Sequence, residues 1–373
     1  MNWGCRKLTI QLLGTILSLF LFTGCGAPAG TPEPAQPPAT PPSAVNLPQI
    51  EVDPDGFKAD GEPFRFIGAN AVNLVFYDDW NLSVEEAIRT ARENGLTVLR
   101  LYLDWGWGKP EDYDQILDIA AKQGVYVLLA LTDCVPSSKS PYCDLASEQS
   151  MEAFKDRISQ LLTRRNAVNN KRYVDDPTIM AWDIANEPEL RRFSYTQTRE
   201  WISEIAAHVK TVDPNHPVTI GLASDSSAYD QDGPSYSALD VPELDFYSFH
   251  YYVVPSSWDG EQPPAGFTSR IAFRARKLIL LGKPVVMEEF GFSPSGKLNL
   301  GIRSDPERIG LYLKVYQDSM DAAFSAGASG VMFWSWGVAG ARDVPMWWSP
   351  EDHSVEDTEL ASLLRNYRIP QQP

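Results

Sequence analysis

Two glutamates close apolar runs in this 373-residue chain. Glu187 follows Trp182-Asp183-Ile184-Ala185-Asn186 and precedes Pro188. Glu289 follows Val285-Val286-Met287-Glu288 and precedes Phe290-Gly291. Paired carboxylates suit cleavage of a glycosidic bond. One acid protonates the departing oxygen, while the other attacks the anomeric carbon or activates a water. A gap of about 5–5.5 Å selects direct attack and retention. Further polar groups end other apolar runs: Asn70, Arg100, Asp133, His250-Tyr251-Tyr252 and Trp334. For these residues to share one reaction, the fold must gather the ends of distant segments into a single bowl.

The hydrophobic pattern supplies that fold. Eight apolar runs read as buried parallel strands: residues 64–69, 97–103, 125–131, 179–184, 217–222, 244–249, 284–287 and 330–333. Amphipathic stretches separate them, at 84–93, 113–123, 151–162, 196–212, 272–281 and 306–325, with Asn94-Gly95 and Gln123-Gly124 as helix ends. The alternation predicts an α/β protein with a single (β/α)8 TIM barrel, whose strands carry active-site groups at their C-terminal ends. An open doubly wound sheet fits less well, because no Gly-rich phosphate fingerprint follows the first strand. Strands four and seven lie across a barrel from one another, so Glu187 and Glu289 should face each other over a bound chain. Side chains alternate along a strand, so only one of Glu288 and Glu289 should point into the bowl. Asp55-Gly56 and Asp60-Gly61 predict a short hairpin before the barrel.

The formal charge is −17, and no Lys/Arg block interrupts it, which excludes a nucleic-acid partner and favours a neutral substrate. Residues 1–24 have the plan of a secretory signal: Arg6 and Lys7, then an apolar run too short and wrongly flanked to span a membrane. The run ends in Leu21-Phe22-Thr23-Gly24-Cys25, which resembles the bacterial lipobox. Cleavage before Cys25 with lipidation of its thiol would leave a chain two positive charges poorer, at −19. Residues 25–48 then form a linker, with eight prolines between 26 and 48, extended and semi-rigid. The expected protein is a monomer outside the cytoplasm, touching a membrane through its lipid alone, with a catalytic domain at 49–373. Cys134 and Cys143 bracket a Pro/Ser loop and are a disulfide candidate there. Trp105, Trp107, Trp258, Trp336, Trp347 and Trp348 sit in loops after strands two, six and eight, where flat rings could stack on sugars.

The segment Tyr173-Val174-Asp175-Asp176-Pro177-Thr178-Ile179-Met180-Ala181-Trp182-Asp183-Ile184-Ala185-Asn186-Glu187-Pro188 resembles the fourth-strand motif of glycoside hydrolase family 5, above all its endo-β-1,4-mannanase branch. Matches recur in family order at Phe66-Ile67-Gly68-Ala69-Asn70, Arg100, His250-Tyr251-Tyr252, Glu289-Phe290-Gly291 and Phe333-Trp334. The resemblance implies Glu187 as acid/base and Glu289 as nucleophile, the latter placed by the aromatic-Gly pair after it. It implies that Arg100 and Tyr252 hold Glu289 ionised and that Asn186 donates to the sugar 2-hydroxyl. His250 would hold the acid/base or a sugar, and Trp334 would floor the cleaved residue. It further implies a β-1,4-linked mannan or glucomannan substrate, with no metal and no organic cofactor. A β-1,4-glucanase, an exo-β-mannosidase and a non-catalytic glycan-binding lipoprotein are the alternatives. The chain departs from many mannanases after strand three, where Asp133-Cys134 and the Cys-bracketed loop replace an Asn-rich segment with a Gly pair.

Overall fold

The computed structural model describes residues 47–371, apart from 79–80, 104–107, 136–139, 224–235, 254–262, 293–305, 338–352 and 355–357. The expectations for the signal and Cys25, for the linker to residue 46, and for Trp105, Trp107, Trp258, Trp347 and Trp348 lie outside the described residues.

Three short strands open the fold: β1 (Ile50–Asp53), β2 (Gly56–Ala59) and β3 (Glu62–Phe64). They pair antiparallel through the two Asp-Gly turns, so the predicted hairpin is one step longer, a three-stranded meander. The eight parallel strands follow: β4 (Phe66–Asn70), β5 (Val98–Tyr102), β6 (Tyr126–Ala130) and β7 (Ile179–Asn186). Then come β8 (Val218–Gly221), β9 (Tyr247–Val253), β10 (Val285–Phe292) and β11 (Gly330–Trp334). Ladders run continuously from β8 back through β4 and on through β11 to β9. The seam between β8 and β9 is drawn together by Asp245 N–H to Val218 O and His250 N–H to Leu222 O, each 2.8 Å. This is the (β/α)8 barrel that the alternation predicts.

The helices between the strands form where the apolar spacing predicts: α1 (Val84–Glu93), α2 (Pro110–Gln123), α3 (Glu148–Leu162), α4 (Tyr195–Val212), α5 (Phe267–Ile279) and α6 (Pro306–Ser325). Their ends follow local chemistry. Ser83 and Ser147 accept from N–H groups of the first turns of α1 and α3, and α2 stops at Gly124 in the left-handed region, φ 68°. A further helix, α7 (Thr358–Asn366), lies beyond the repeating pattern, and its Leu360 and Leu364 join the core.

Strand alternation divides the barrel wall. On β5, Leu99 and Leu101 face the helices, whereas Val98, Arg100 and Tyr102 point inward. The interior is apolar at its N-terminal end, where Ile50 and Phe57 of the meander plug the barrel against Phe66, Val98, Tyr126, Met180 and Phe246. Phe57 meets Phe246 edge-on at 5.0 Å and Phe66 at 5.9 Å. Phe57→Ala should therefore cost ~3–5 kcal/mol in urea unfolding and leave kcat/KM nearly unchanged, because it empties the end away from the site. Wild-type stability in this variant would remove the plug from the account.

Candidate active site

One Arg organises the middle of the barrel. Arg100 is fully buried. Its Nη1 donates to Glu289 Oε1 at 2.6 Å and Asn70 Oδ1 at 2.9 Å, and its Nη2 donates to Asp183 Oδ2 at 2.6 Å and Asn186 Oδ1 at 2.9 Å. Nε lies 3.5 Å from Glu288 Oε1. Room for this assembly comes from Gly221 on β8. A Cβ there would fall 3.0 Å from Arg100 Nη2 and Glu288 Oε2 and 3.1 Å from Asp183 Oδ2.

Glu289 stands at the upper edge of this layer, at the predicted position late on the seventh barrel strand. Tyr102 donates to its Oε1 at 2.6 Å, and Tyr252 donates to its Oε2 at 2.7 Å. Burial raises its pKa, but the charges of His250 and Arg100 and the two phenols outweigh burial, so the carboxyl sits below its ordinary range. The residue is thus kept ionised.

Glu187 comes from the other side. Its backbone has φ 48°, a left-handed conformation that costs a non-glycine residue about 1–3 kcal/mol. Its N–H is tied to Gly221 O at 2.9 Å. The turn lets the consecutive Asn186 and Glu187 both serve the site. The Glu187 side chain is 22% exposed, unlike the buried Glu289, and its Oε1 lies 2.7 Å from His250 Nδ1. Oxygens of Glu187 and Glu289 and a nitrogen of His250 all lie within 4.8 Å of one another. That spacing matches the close carboxyl pair of retaining cleavage.

His250 joins both acids, with Nδ1 3.6 Å from Glu289 Oε2 and Nε2 3.5 Å from Glu288 Oε2. Burial lowers its pKa, yet the surrounding carboxylates win and push it up to about 10. Asp183 is pushed up to about 7, because burial and the charge of Glu288 outweigh its bond to a guanidinium shared with two other acids. Both groups bind protons more tightly in the folded state. For His250 that stabilisation is fully present below the unfolded value near 6.5 and is lost as pH rises through about 10. Unfolding free energy should therefore fall between pH 7 and 10, on the order of 2 kcal/mol more in wild type than in His250→Gln. Parallel pH–stability curves for the two proteins would contradict this.

Two expectations need correction. Glu288 is not turned out of the bowl, although strict alternation with Glu289 would require it. The ladders of β10 with β9 and β11 shift register after Met287, so Glu288 and Glu289 both reach the interior. Glu288 lies buried beside Arg100 and His250, with Ser248 Oγ 2.8 Å from its Oε2. Trp336 is not a sugar platform. It is 2% exposed, packed under α1, and its indole N–H donates to Ala87 O at 3.0 Å. Trp334 does reach the mouth, clustered with Val72, Tyr102, Ala130 and Tyr252. Cys134 and Cys143 are bonded, with Cα atoms 5.5 Å apart. Sequence reasoning missed Tyr102 and Asp183. Tyr102 was signalled by its spacing, two residues beyond Arg100 on one strand face.

Such a site can break an acetal: one part-exposed acid stands across from a buried one kept charged, among hydrogen-bonding groups. Fold and site together define a glycoside hydrolase. The family model described as "GH family 5 beta-mannosidase-like" matches residues 97–359. The chain belongs to glycoside hydrolase family 5. It is 31% identical over 339 residues to a protein of Oryza sativa subsp. japonica named mannan endo-1,4-beta-mannosidase 1, covering 76% of this chain and 77% of that one. It is 27% identical to mannan endo-1,4-beta-mannosidase 7 of Arabidopsis thaliana, covering 74% and 75%. Among solved structures, the endo-1,4-beta-mannanase of Rhizomucor miehei superposes with a TM-score of 0.68 at 24% identity, over 85% of this chain and 98% of that one. A family 5 mannosidase from the same organism gives 0.70 at 22%, over 86% and 96%.

Proposed function

We propose that this protein is an endo-acting β-1,4-mannanase that cleaves mannan or glucomannan with retention, on the outer side of a membrane to which Cys25 anchors it as a monomer. The approach of Glu187 and Glu289 oxygens to within 4.8 Å carries the mechanism. The names of the curated relatives support the substrate. Glu289 attacks the anomeric carbon as the glycosidic C–O bond breaks, and Glu187 gives its proton to the departing oxygen. A water then takes the vacated side, Glu187 takes its proton, and the bond to Glu289 breaks to release the sugar with its original configuration. Arg100, Tyr102 and Tyr252 hold the charge of Glu289 before attack and after release. Asn186 donates to the 2-hydroxyl, and Trp334 floors the sugar under attack.

An exo-β-mannosidase is the second reading, favoured by the β-mannosidase-like description of the matching family model. A product profile on linear mannan separates the two. Early release of mixed oligosaccharides supports internal cleavage, and mannose alone supports the exo reading. Cleavage of β-glucan with mannan untouched would overturn both. Palmitate labelling of the full chain, lost in Cys25→Ala, tests the anchor.

A further inference from the structure

The Asn186 carboxamide is held between a cation and an anion. Its Oδ1 accepts from Arg100 Nη2 at 2.9 Å, and its Nδ2 donates to Asp133 Oδ1 at 2.8 Å. Exchanging its O and N would set oxygen against carboxylate and amide hydrogens against guanidinium, so the orientation is locked. The second Nδ2 hydrogen has no acceptor among the described residues.

Asp133 is itself 3% exposed and firmly mounted. Asn186 N–H donates to Thr132 O at 2.9 Å, and Cys134 N–H donates to Asn186 O at 2.8 Å. The next bond along the chain leads to the Cys134–Cys143 disulfide. The end of strand three is thus stitched to the end of strand four around one carboxylate. Glu187, Glu289 and Tyr102 face Asp133, and Arg100 stands beyond Asn186. Burial, aided by Glu289 and Glu187, pushes the Asp133 pKa up to about 6 against the bonds from Asn186 and Val135.

We propose that Asp133 is a positioning residue for hydrolysis: its carboxylate aims the free N–H of Asn186 at the 2-hydroxyl of the sugar under attack, and the Cys134–Cys143 disulfide holds that carboxylate in place. This rests on the reading of the site given under the proposed function. It assigns the disulfide a part in turnover as well as in loop stability.

The test compares an aryl β-mannobioside with its analogue lacking the 2-hydroxyl on the sugar that carries the aryl group. Wild type should prefer the intact substrate. If wild type leaves it uncut, the functional reading itself fails, and that is seen before any variant is made. In Asp133→Ala, kcat on the intact substrate should fall about 10- to 100-fold with little change in KM, the size of loss seen when a group that orients a metal ligand is removed. The ratio of rates on the two substrates should narrow towards one. Cys134→Ser/Cys143→Ser, its fold checked by circular dichroism, should narrow it in the same way. In Asp133→Asn the acidic limb of kcat/KM, near pH 6 in wild type, should move to lower pH, because the charge that aims Asn186 no longer titrates. A wild-type substrate ratio in Asp133→Ala or in the double Cys variant, or an unmoved acidic limb in Asp133→Asn, overturns the proposal.

Discussion

Glu289→Gln is expected to lower kcat at least ~10⁴-fold, about 5.4 kcal/mol of barrier at 1.36 kcal/mol per decade, while mannan binding is largely kept. The amide has the shape of the carboxylate, so the phenols of Tyr102 and Tyr252 keep a partner near 2.6–2.7 Å. On the proposed mechanism, what is lost is the anion that bonds to the anomeric carbon. Azide separates the roles of the two acids. In Glu289→Ala, azide can enter the vacated side and displace a good leaving group, giving a glycosyl azide of inverted configuration. In Glu187→Ala, the covalent intermediate still forms, and azide attacks it from the opposite face, giving retention. The reverse pattern would exchange the assignments of 187 and 289. Near-normal turnover in Glu289→Gln would remove it from the mechanism altogether.

Arg100→Met should be somewhat less damaging to activity and far worse for stability. It withdraws a buried cation from Glu288, Glu289 and Asp183, all fully or nearly fully buried. Leaving buried charges unpaired costs about 3–5 kcal/mol. The sign of the pH dependence identifies the cause. Without the guanidinium, the folded-state pKa values of Glu288 and Glu289 rise above their unfolded values, and that of Asp183, already raised, rises further. The deficit against wild type should therefore shrink as pH falls from 8 to 5 and the acids take up protons. Urea unfolding at the two pH values measures this. A deficit of equal size at both would mean that lost packing, and not charge, explains the variant. Activity should fall at least ~10³-fold, because a protonated Glu289 cannot attack.

Much of this protein was legible before folding, because its main features are periodic or local. Eight apolar runs with amphipathic stretches between them bury themselves as parallel strands covered by helices, and Asn94-Gly95 and Gln123-Gly124 mark helix ends wherever they occur. Glu187 and Glu289 could be matched because each is fixed by its own strand end: Asn186-Glu187-Pro188 on one, Glu289-Phe290-Gly291 on the other. Helix α7 escaped because it is short and stands outside the repeat. Trp336 was misread because a Trp near a strand end looks alike whether it faces sugar or packs under a helix.

Tertiary structure decided what depends on register and shared partners. Strict alternation assigns Glu288 away from the site, and only a bulge after Met287 turns it inward. No local signal in Asp183 shows that it shares one guanidinium with Glu288 and Glu289, since these residues stand on strands four and seven and Arg100 on strand two. Asp133 gains meaning only when the end of strand three is stitched beside Asn186. Residue types and periods along a chain set what can be buried and which acids end which strands. Ionisation depends on distances between groups far apart in the chain, and those exist only once the barrel has closed.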